Sequence, residues 1–560
     1  MSNSKRRFTG LLIAAMAAAG MQHSAPLMAQ VTSAINADTV LSDPDAVGSQ
    51  IAVTEVADPH QVTSLVMDSE VAPVGFDSCL LPNRASACDQ AGDGCSCLAG
   101  CDEIGGCDAC GCASATAKPA ATKAGCADSH KGVFYANDFS YLKDPCNQSE
   151  CFGDCLKLMP VAGGKLGTLD VGGQLRLRYH HEAGMGRQAG RSGFQDTKND
   201  FLLSRLRVYN NWKINNDVRV YAEGIFADAT ANSAYIPRPI DRNSADILNL
   251  FVDLQLTDNA SVRIGRQELL FGSQRVVSPL DWANTRRTFE GVRGTIQVGD
   301  WTIDPFFTNL VPVTAFDFDE ADYDQSFYGV YASGKGFGGH NTDLYYLGYD
   351  NDIQGAPVTT NFELHTFGGR VNGKLANGPL MFDVEGAYQT GKQQGLGLDH
   401  RAGFFTAGLG YQFKDVAWKP TLWTYYDYAS GNDAGGSFNR YNQLFPLAHK
   451  YLGFIDAAAR SNISSPNALL TMSPSKKMKL LAWYYYLGAD EKGDVIPGVA
   501  VPSNQNLVDD DFGNELDLVA SYTIGPRSDI LFGYSHLWRG DKIIGTNDAD
   551  FFYSQYTLNF

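Results

Sequence analysis

The chain contains no cysteine beyond Cys155, although it runs to 560 residues. After the amino terminus it has no apolar run near the ~20 residues that a membrane-spanning helix needs, so a helical membrane protein is excluded. Positive charge is scarce: 44 Lys and Arg face 62 Asp and Glu, a net charge of −18, which argues against nucleic acid as a partner. Gly-x-Ser-x-Gly, phosphate-loop and His-Glu-x-x-His motifs are missing, and the ten histidines are scattered. Neither an enzymatic activity nor a cofactor is therefore expected.

What is present begins with an export signal over residues 1–29. Lys5, Arg6 and Arg7 form a basic start, Leu11 to Ala19 an apolar stretch, and Leu27-Met28-Ala29 a cleavage site before Gln30. Residues 30–78 are acidic and poor in aromatics, as a flexible spacer would be. A cysteine-rich, largely irregular segment occupies 79–165 and holds all twelve cysteines: Cys79, Cys88, Cys95, Cys97, Cys101, Cys107, Cys110, Cys112, Cys126, Cys146, Cys151 and Cys155. An even count in an exported chain favours disulfides; the spacing from Cys95 to Cys112 also leaves metal binding open, and free thiols are the third alternative.

From residue 166 to 560 the pattern changes. Val171, Gly173, Leu175, Leu177 and Tyr179 share one parity, while Gln174, Arg176, Arg178 and His180 share the other. Leu206, Val208 and Trp212 oppose Arg205, Arg207, Asn211 and Lys213, and Val218, Val220, Ala222 and Phe226 oppose Arg219, Tyr221 and Glu223. Leu248, Leu250, Val252, Leu254 and Leu256 likewise oppose Asn249, Asp253 and Gln255. Period-2 alternation makes two-sided strands. Such strands recur about every 20 residues, with short turns such as 214–217 alternating with longer Gly- and Asp-rich stretches such as 183–199, 228–246 and 312–324. The last strand ends on Phe560, with Phe552, Tyr556 and Leu558 on the same parity.

The fold expected is all-β: a transmembrane antiparallel up-and-down barrel of about 18 strands, apolar face to lipid and polar face to the lumen. Aromatic clusters such as Trp423 to Tyr426 and Trp483 to Tyr486 are expected at headgroup depth. The expected location is the outer membrane of a Gram-negative-type envelope.

Residues 170–300 carry 17 Lys and Arg against 15 Asp and Glu, leaving 27 against 47 elsewhere in the chain. Arg176, Arg178, Arg205, Arg207, Arg219, Arg263 and Arg293 fall at lumen parity. A ladder of guanidinium groups grips carboxylates in pairs and passes an acidic chain from site to site. Pairing with Glu223, Asp253, Glu268 and Glu290 would instead make some of these arginines structural. Arg266 and Glu268 break parity, and a bulge at Gly265 would turn them inward. The acidic run 317–324 reads as a solvated outer loop, with Ca²⁺ as the alternative.

One stretch is denser than the rest. Arg263-Ile264-Gly265-Arg266-Gln267-Glu268 leads through Arg275 to Pro279-Leu280-Asp281-Trp282-Ala283-Asn284, then to Arg286-Arg287-Thr288-Phe289-Glu290-Gly291-Val292-Arg293. Together with Gln443-Leu444-Phe445-Pro446-Leu447, it resembles the signature of the alginate-export family of outer-membrane porins. The resemblance spans about 165 to 560 and implies an 18-stranded barrel with an electropositive lumen conducting an anionic polysaccharide. The substrate pathway would then include Arg176, Arg178, Arg205, Arg207, Arg219, Arg263, Arg266, Arg275, Arg286, Arg287 and Arg293. Asp281, Trp282 and Asn284 form either a constriction loop or a capped turn. Expected partners are outer-membrane lipid, an anionic polysaccharide or small sugar-like solute, and periplasmic envelope proteins. The competing reading is a membrane-anchored structural or adhesive protein whose cysteine-rich segment binds a partner.

Overall fold

The computed structural model describes residues 125–144, 151–231, 234–353, 360–447, 449–498 and 505–560. The signal, the spacer, and Cys79, Cys88, Cys95, Cys97, Cys101, Cys107, Cys110, Cys112 and Cys146 lie outside them.

Eighteen long strands build the wall. They are β1 (Thr168–Ala183), β2 (Lys198–Lys213), β3 (Val218–Ala231), β4 (Asn243–Thr257), β5 (Ala260–Gln267) and β6 (Thr288–Val298). The next six are β7 (Trp301–Val311), β8 (Gln325–Lys335), β9 (Asn341–Asn351), β10 (Phe362–Lys374), β11 (Leu380–Gln393) and β12 (Leu398–Gln412). The last six are β13 (Thr421–Ala429), β14 (Ile463–Met472), β15 (Met478–Gly488), β16 (Asp511–Gly525), β17 (Ser528–Arg539) and β18 (Ala549–Asn559). Each pairs antiparallel with the next, and β18 pairs back onto β1 from Gln174↔Asn559 to Ala183↔Asp550. Phe560 and Gly173 complete the seam with reciprocal main-chain hydrogen bonds of 3.0 Å. Closure leaves no unpaired edge, the condition hydrocarbon imposes.

The alternation read from the sequence becomes an inside and an outside. In β2, Phe201, Leu203, Arg205, Arg207 and Tyr209 are buried, whereas Leu202, Leu206 and Val208 are exposed. The exposed set continues around the wall through Phe226, Leu250, Phe367, Leu409 and Phe532. Both chain ends of the barrel lie on the side of the short turns, such as 214–217 and 258–259. Most connections on the other side are long: 184–197, 268–287 and 430–462 among them.

Three details differ from the sequence expectation. The β3–β4 ladder shifts register after Glu223, which pairs with Asn249 while Gly224 pairs with Ile247. The extra residue, Leu248, turns inside to pack with Ile225 and Ala227. No register shift occurs at Gly265, which stays opposite Phe251 and Gly291. Finally, in the aromatic clusters only alternate rings can face lipid: Tyr426 and Tyr484 are exposed, but Trp483 and Tyr485 are buried inside.

Truncation before Ala549 removes β18 and strands the backbone of β1. The expected outcome is loss of the heat-resistant folded form in gel electrophoresis. A truncated chain that retained that form would show that the β1–β18 seam is dispensable.

Candidate functional site: the filled lumen

Two long loops fold into the barrel instead of standing above it. Residues 268–287 leave β5 and cross the lumen before entering β6, and nearly all are buried. Gly272 starts the crossing with φ +50°, and a Cβ there would lie 2.0 Å from the Tyr331 hydroxyl, so only glycine fits. Arg275 then reaches the opposite wall, donating to Asp383 (2.9 Å) and Glu385 (3.0 Å) of β11. The second loop, between β13 and β14, lies against the first. The Phe445 amide donates to the Val276 carbonyl (3.0 Å) and that of Leu447 to the Gln274 carbonyl (2.7 Å). Its amides at Phe454 and Ile455 cap the Asp517 and Glu515 carboxyls of β16 at 3.2 and 2.8 Å.

The arginines of β1 and β2 converge on the first loop. Arg176 donates to the carbonyls of Asp281 (2.6 Å), Trp282 (3.1 Å) and Ala283 (2.8 Å). Arg178 donates to the Trp282 carbonyl (2.8 Å), and its guanidinium lies 3.2 Å from the indole centroid. Arg205 bonds the Asp281 carboxylate (2.9 Å), the Asp281 and Ala283 carbonyls and Gln174. Arg207 pairs with Glu223 (2.7 Å) and Glu268 (3.4 Å). Arg286 links Glu268 and Asp281. Burial alone would raise the Asp281 carboxyl, but Arg286, Arg205 and Arg176 outweigh it and hold it well below the usual carboxylate range.

Trp282 fills the centre, its ring also stacked near His180 (5.5 Å) and His449 (5.0 Å). Asn284 donates to the carbonyls of Ser204, Asp228 and Asp241, tying the loop to the wall. His449 and Asp456 share a 2.8 Å hydrogen bond. Burial pushes the imidazole well below and the carboxyl well above their usual values.

A different environment occupies the short-turn mouth. Arg219 and Arg263 both grip Asp253, and Arg293 grips Asp304 through two nitrogens at 3.0 and 2.9 Å. These side chains are only partly buried. Arg219, Asp253, Arg263 and Arg293 border a cavity of about 280 Å³, and the first three, with Lys213, a neighbouring one of about 430 Å³. Tyr135 and Ala136 of the cysteine-rich segment form part of the first cavity's wall.

That segment was expected as an appendage, yet its described part is seated in the mouth. Val133, Phe134 and Tyr135 pack against Tyr209, Tyr221 and Phe251. Cys126 and Cys151 form a disulfide, and Cys155 is also disulfide-bonded. Asp154 and the Tyr141 hydroxyl accept from Arg527, at 2.5 and 2.7 Å. The Lys157 ammonium donates to the Val171 and Phe560 carbonyls. Burial and the nearby Arg527 push that ammonium down to about 7.

Arg266 is not brought into the lumen. With the ladder in register it shares Leu250's outward face and reaches Asp246, Glu290 and the Asp319 carbonyl. Glu268 does turn inward, because the strand has ended at Gln267. Arg287 is buried within the loop, donating to the Ser278 carbonyl. In the acidic run, Asp319 is buried and bonded to Asn243 and Thr314. No group of three metal-capable side chains occurs among the described residues. Sequence reasoning missed Arg460, which pairs with Asp427 (2.7 Å), and Glu515 and Asp517, whose shared parity in β16 could have flagged them.

No curated protein matches the chain. Among solved structures it is similar to several from Pseudomonas aeruginosa, of which one is described as the outer membrane protein OpdK. OccD3 (OpdP) is 12% identical, with 70% of this chain and 91% of that one covered and a TM-score of 0.47. OccK3 (OpdO) is 13% identical, with 70% and 96% covered and a TM-score of 0.48. OpdK is 11% identical, with 70% and 98% covered and a TM-score of 0.48. The family described as "Alginate export" matches residues 168–556, most of the chain, and the protein thus belongs to the alginate-export family of outer-membrane β-barrels.

Proposed function

We propose that the barrel is a channel whose lumen passes anionic polysaccharide or sugar-like solutes by diffusion, with no chemical step. One observation carries this reading. Arg176 and Arg178 are buried, donate to main-chain carbonyls, and have no ion pair among the described residues. Around Asp281, five guanidinium groups (Arg176, Arg178, Arg205, Arg207, Arg286) meet three carboxylates (Asp281, Glu223, Glu268). The surplus is positive, although the whole chain is strongly acidic. A solute carboxylate about 4 Å from such a group gains about 4 kcal/mol at an effective dielectric of about 20, enough to offset part of its dehydration. Spread over several arginines, the attraction gives entry without a single deep trap. Paired cations such as Arg275 serve differently: they pin the inward loop that sets the width of the path.

In planar bilayers the mature chain is expected to prefer anions and to be blocked reversibly by added polyuronate. Block by neutral sugars but not by polyuronate would overturn the acidic-polysaccharide assignment.

Arg176→Gln combined with Arg178→Gln should lower the anion-to-cation preference several-fold. Glu268→Gln should act on stability instead, because it leaves Arg207 and Arg286 short of a buried partner. A loss of about 3–5 kcal/mol in denaturant unfolding is expected. An unchanged ion preference in the double arginine variant would remove these residues from the pathway.

A further inference from the structure

The short-turn mouth is occupied by the chain's own amino-terminal segment. We infer that residues 125–144 and 151–157 form an autoinhibitory plug whose tip competes with anionic solute for the lumen's guanidinium groups. This rests on the transport reading above.

The contacts at the tip are of the kind an acidic sugar chain would make. The Gly132 carbonyl accepts from Arg286 (3.1 Å) and the Tyr135 carbonyl from Arg219 (2.9 Å). The Phe134 ring lies under the Arg207 guanidinium at 4.0 Å and the Tyr135 ring under that of Arg263 at 4.1 Å. Each contact takes up a donor or a flat face that a carboxylate or a sugar ring could use. A solute carboxylate can take a guanidinium through two parallel N–H···O bonds between opposite charges, whereas each tip carbonyl offers one neutral acceptor. The plug can therefore be displaced by the solute.

Its construction allows displacement without loss. The tip is a single 3₁₀ turn, Phe134–Ala136, with no ladder holding it to the wall. The Tyr135 hydroxyl donates to the Glu268 carbonyl (2.9 Å) and the Asn137 amide to the Tyr209 hydroxyl (3.3 Å), while the covalent and ionic attachments are at the rim. The Cys126–Cys151 disulfide closes the segment on itself, and Arg527 in the β16–β17 turn holds Asp154 and Tyr141. A tethered tip that leaves the arginines stays close by and returns when solute is gone.

The test compares the full mature chain with a variant lacking residues 30–157, each confirmed as a heat-modifiable barrel. A second variant, Phe134→Ala with Tyr135→Ala, keeps the disulfide and the Arg527 anchor. The probe is an oligouronate, with a neutral oligosaccharide of equal length as control. Both variants are expected to bind the oligouronate several-fold more tightly than the full chain and to show several-fold larger bilayer conductance. Equal affinity and equal open conductance in all three proteins would overturn the plug and leave transport standing. Three proteins that neither conduct nor bind the oligouronate would overturn both.

Discussion

Hydrocarbon offers a peptide group no partner, and each unsatisfied one costs several kcal/mol. The wall of this protein answers that constraint by pairing every long strand with its neighbours and bringing β18 back to β1. With hydrogen bonding settled within the wall, side chains are left to face two solvents. Leu202, Leu206 and Val208 meet lipid, and Arg205 and Arg207 between them point inward. The interior chemistry exists because alternation along a strand is obligatory.

Burying guanidinium groups carries its own cost. Here the acceptors are supplied largely by the backbone of one loop. The carbonyls of Asp281, Trp282 and Ala283 accept from Arg176, Arg178 and Arg205, and the Asp281 carboxylate links Arg205 to Arg286. The dependence is mutual. Without the arginines, the loop's carbonyls would lie unpaired inside the barrel; without the loop, the arginines would repel one another. Carbonyls satisfy donors while leaving the charge intact, whereas carboxylates cancel it. That difference separates Arg176 and Arg178 of β1 from the Arg275–Asp383–Glu385 contact on the far side.

Strands were legible because period 2 is a local signal that repeats. The alternation read over Arg205 to Lys213 and Val218 to Phe226 falls within Lys198–Lys213 and Val218–Ala231. Parity also placed Arg176, Arg178, Arg205 and Arg207 inside. It failed where one residue changes the count or where the ladder simply continues. Leu248 turned inward at a bulge that no local residue marks, and Arg266 stayed outward because Gly265 kept register. The plug left no trace of this kind. Arg527 and Asp154 are 373 residues apart, and the acceptors facing Arg219 and Arg286 are main-chain carbonyls, which every residue possesses. Contacts made by backbone atoms across such separations have no sequence pattern to read.

Lys157 bonds the carbonyl of the final residue, and Gly153 lies so close to Phe560 that a Cβ would come within 2.8 Å of its carbonyl carbon. The seat of the amino-terminal segment is thus built partly from Phe560, at the seam between β1 and β18. An incomplete cylinder has no such seat, so the stopper can settle only once the cylinder is whole. Order of assembly is thereby written into the contact of Gly153 and Lys157 with Phe560.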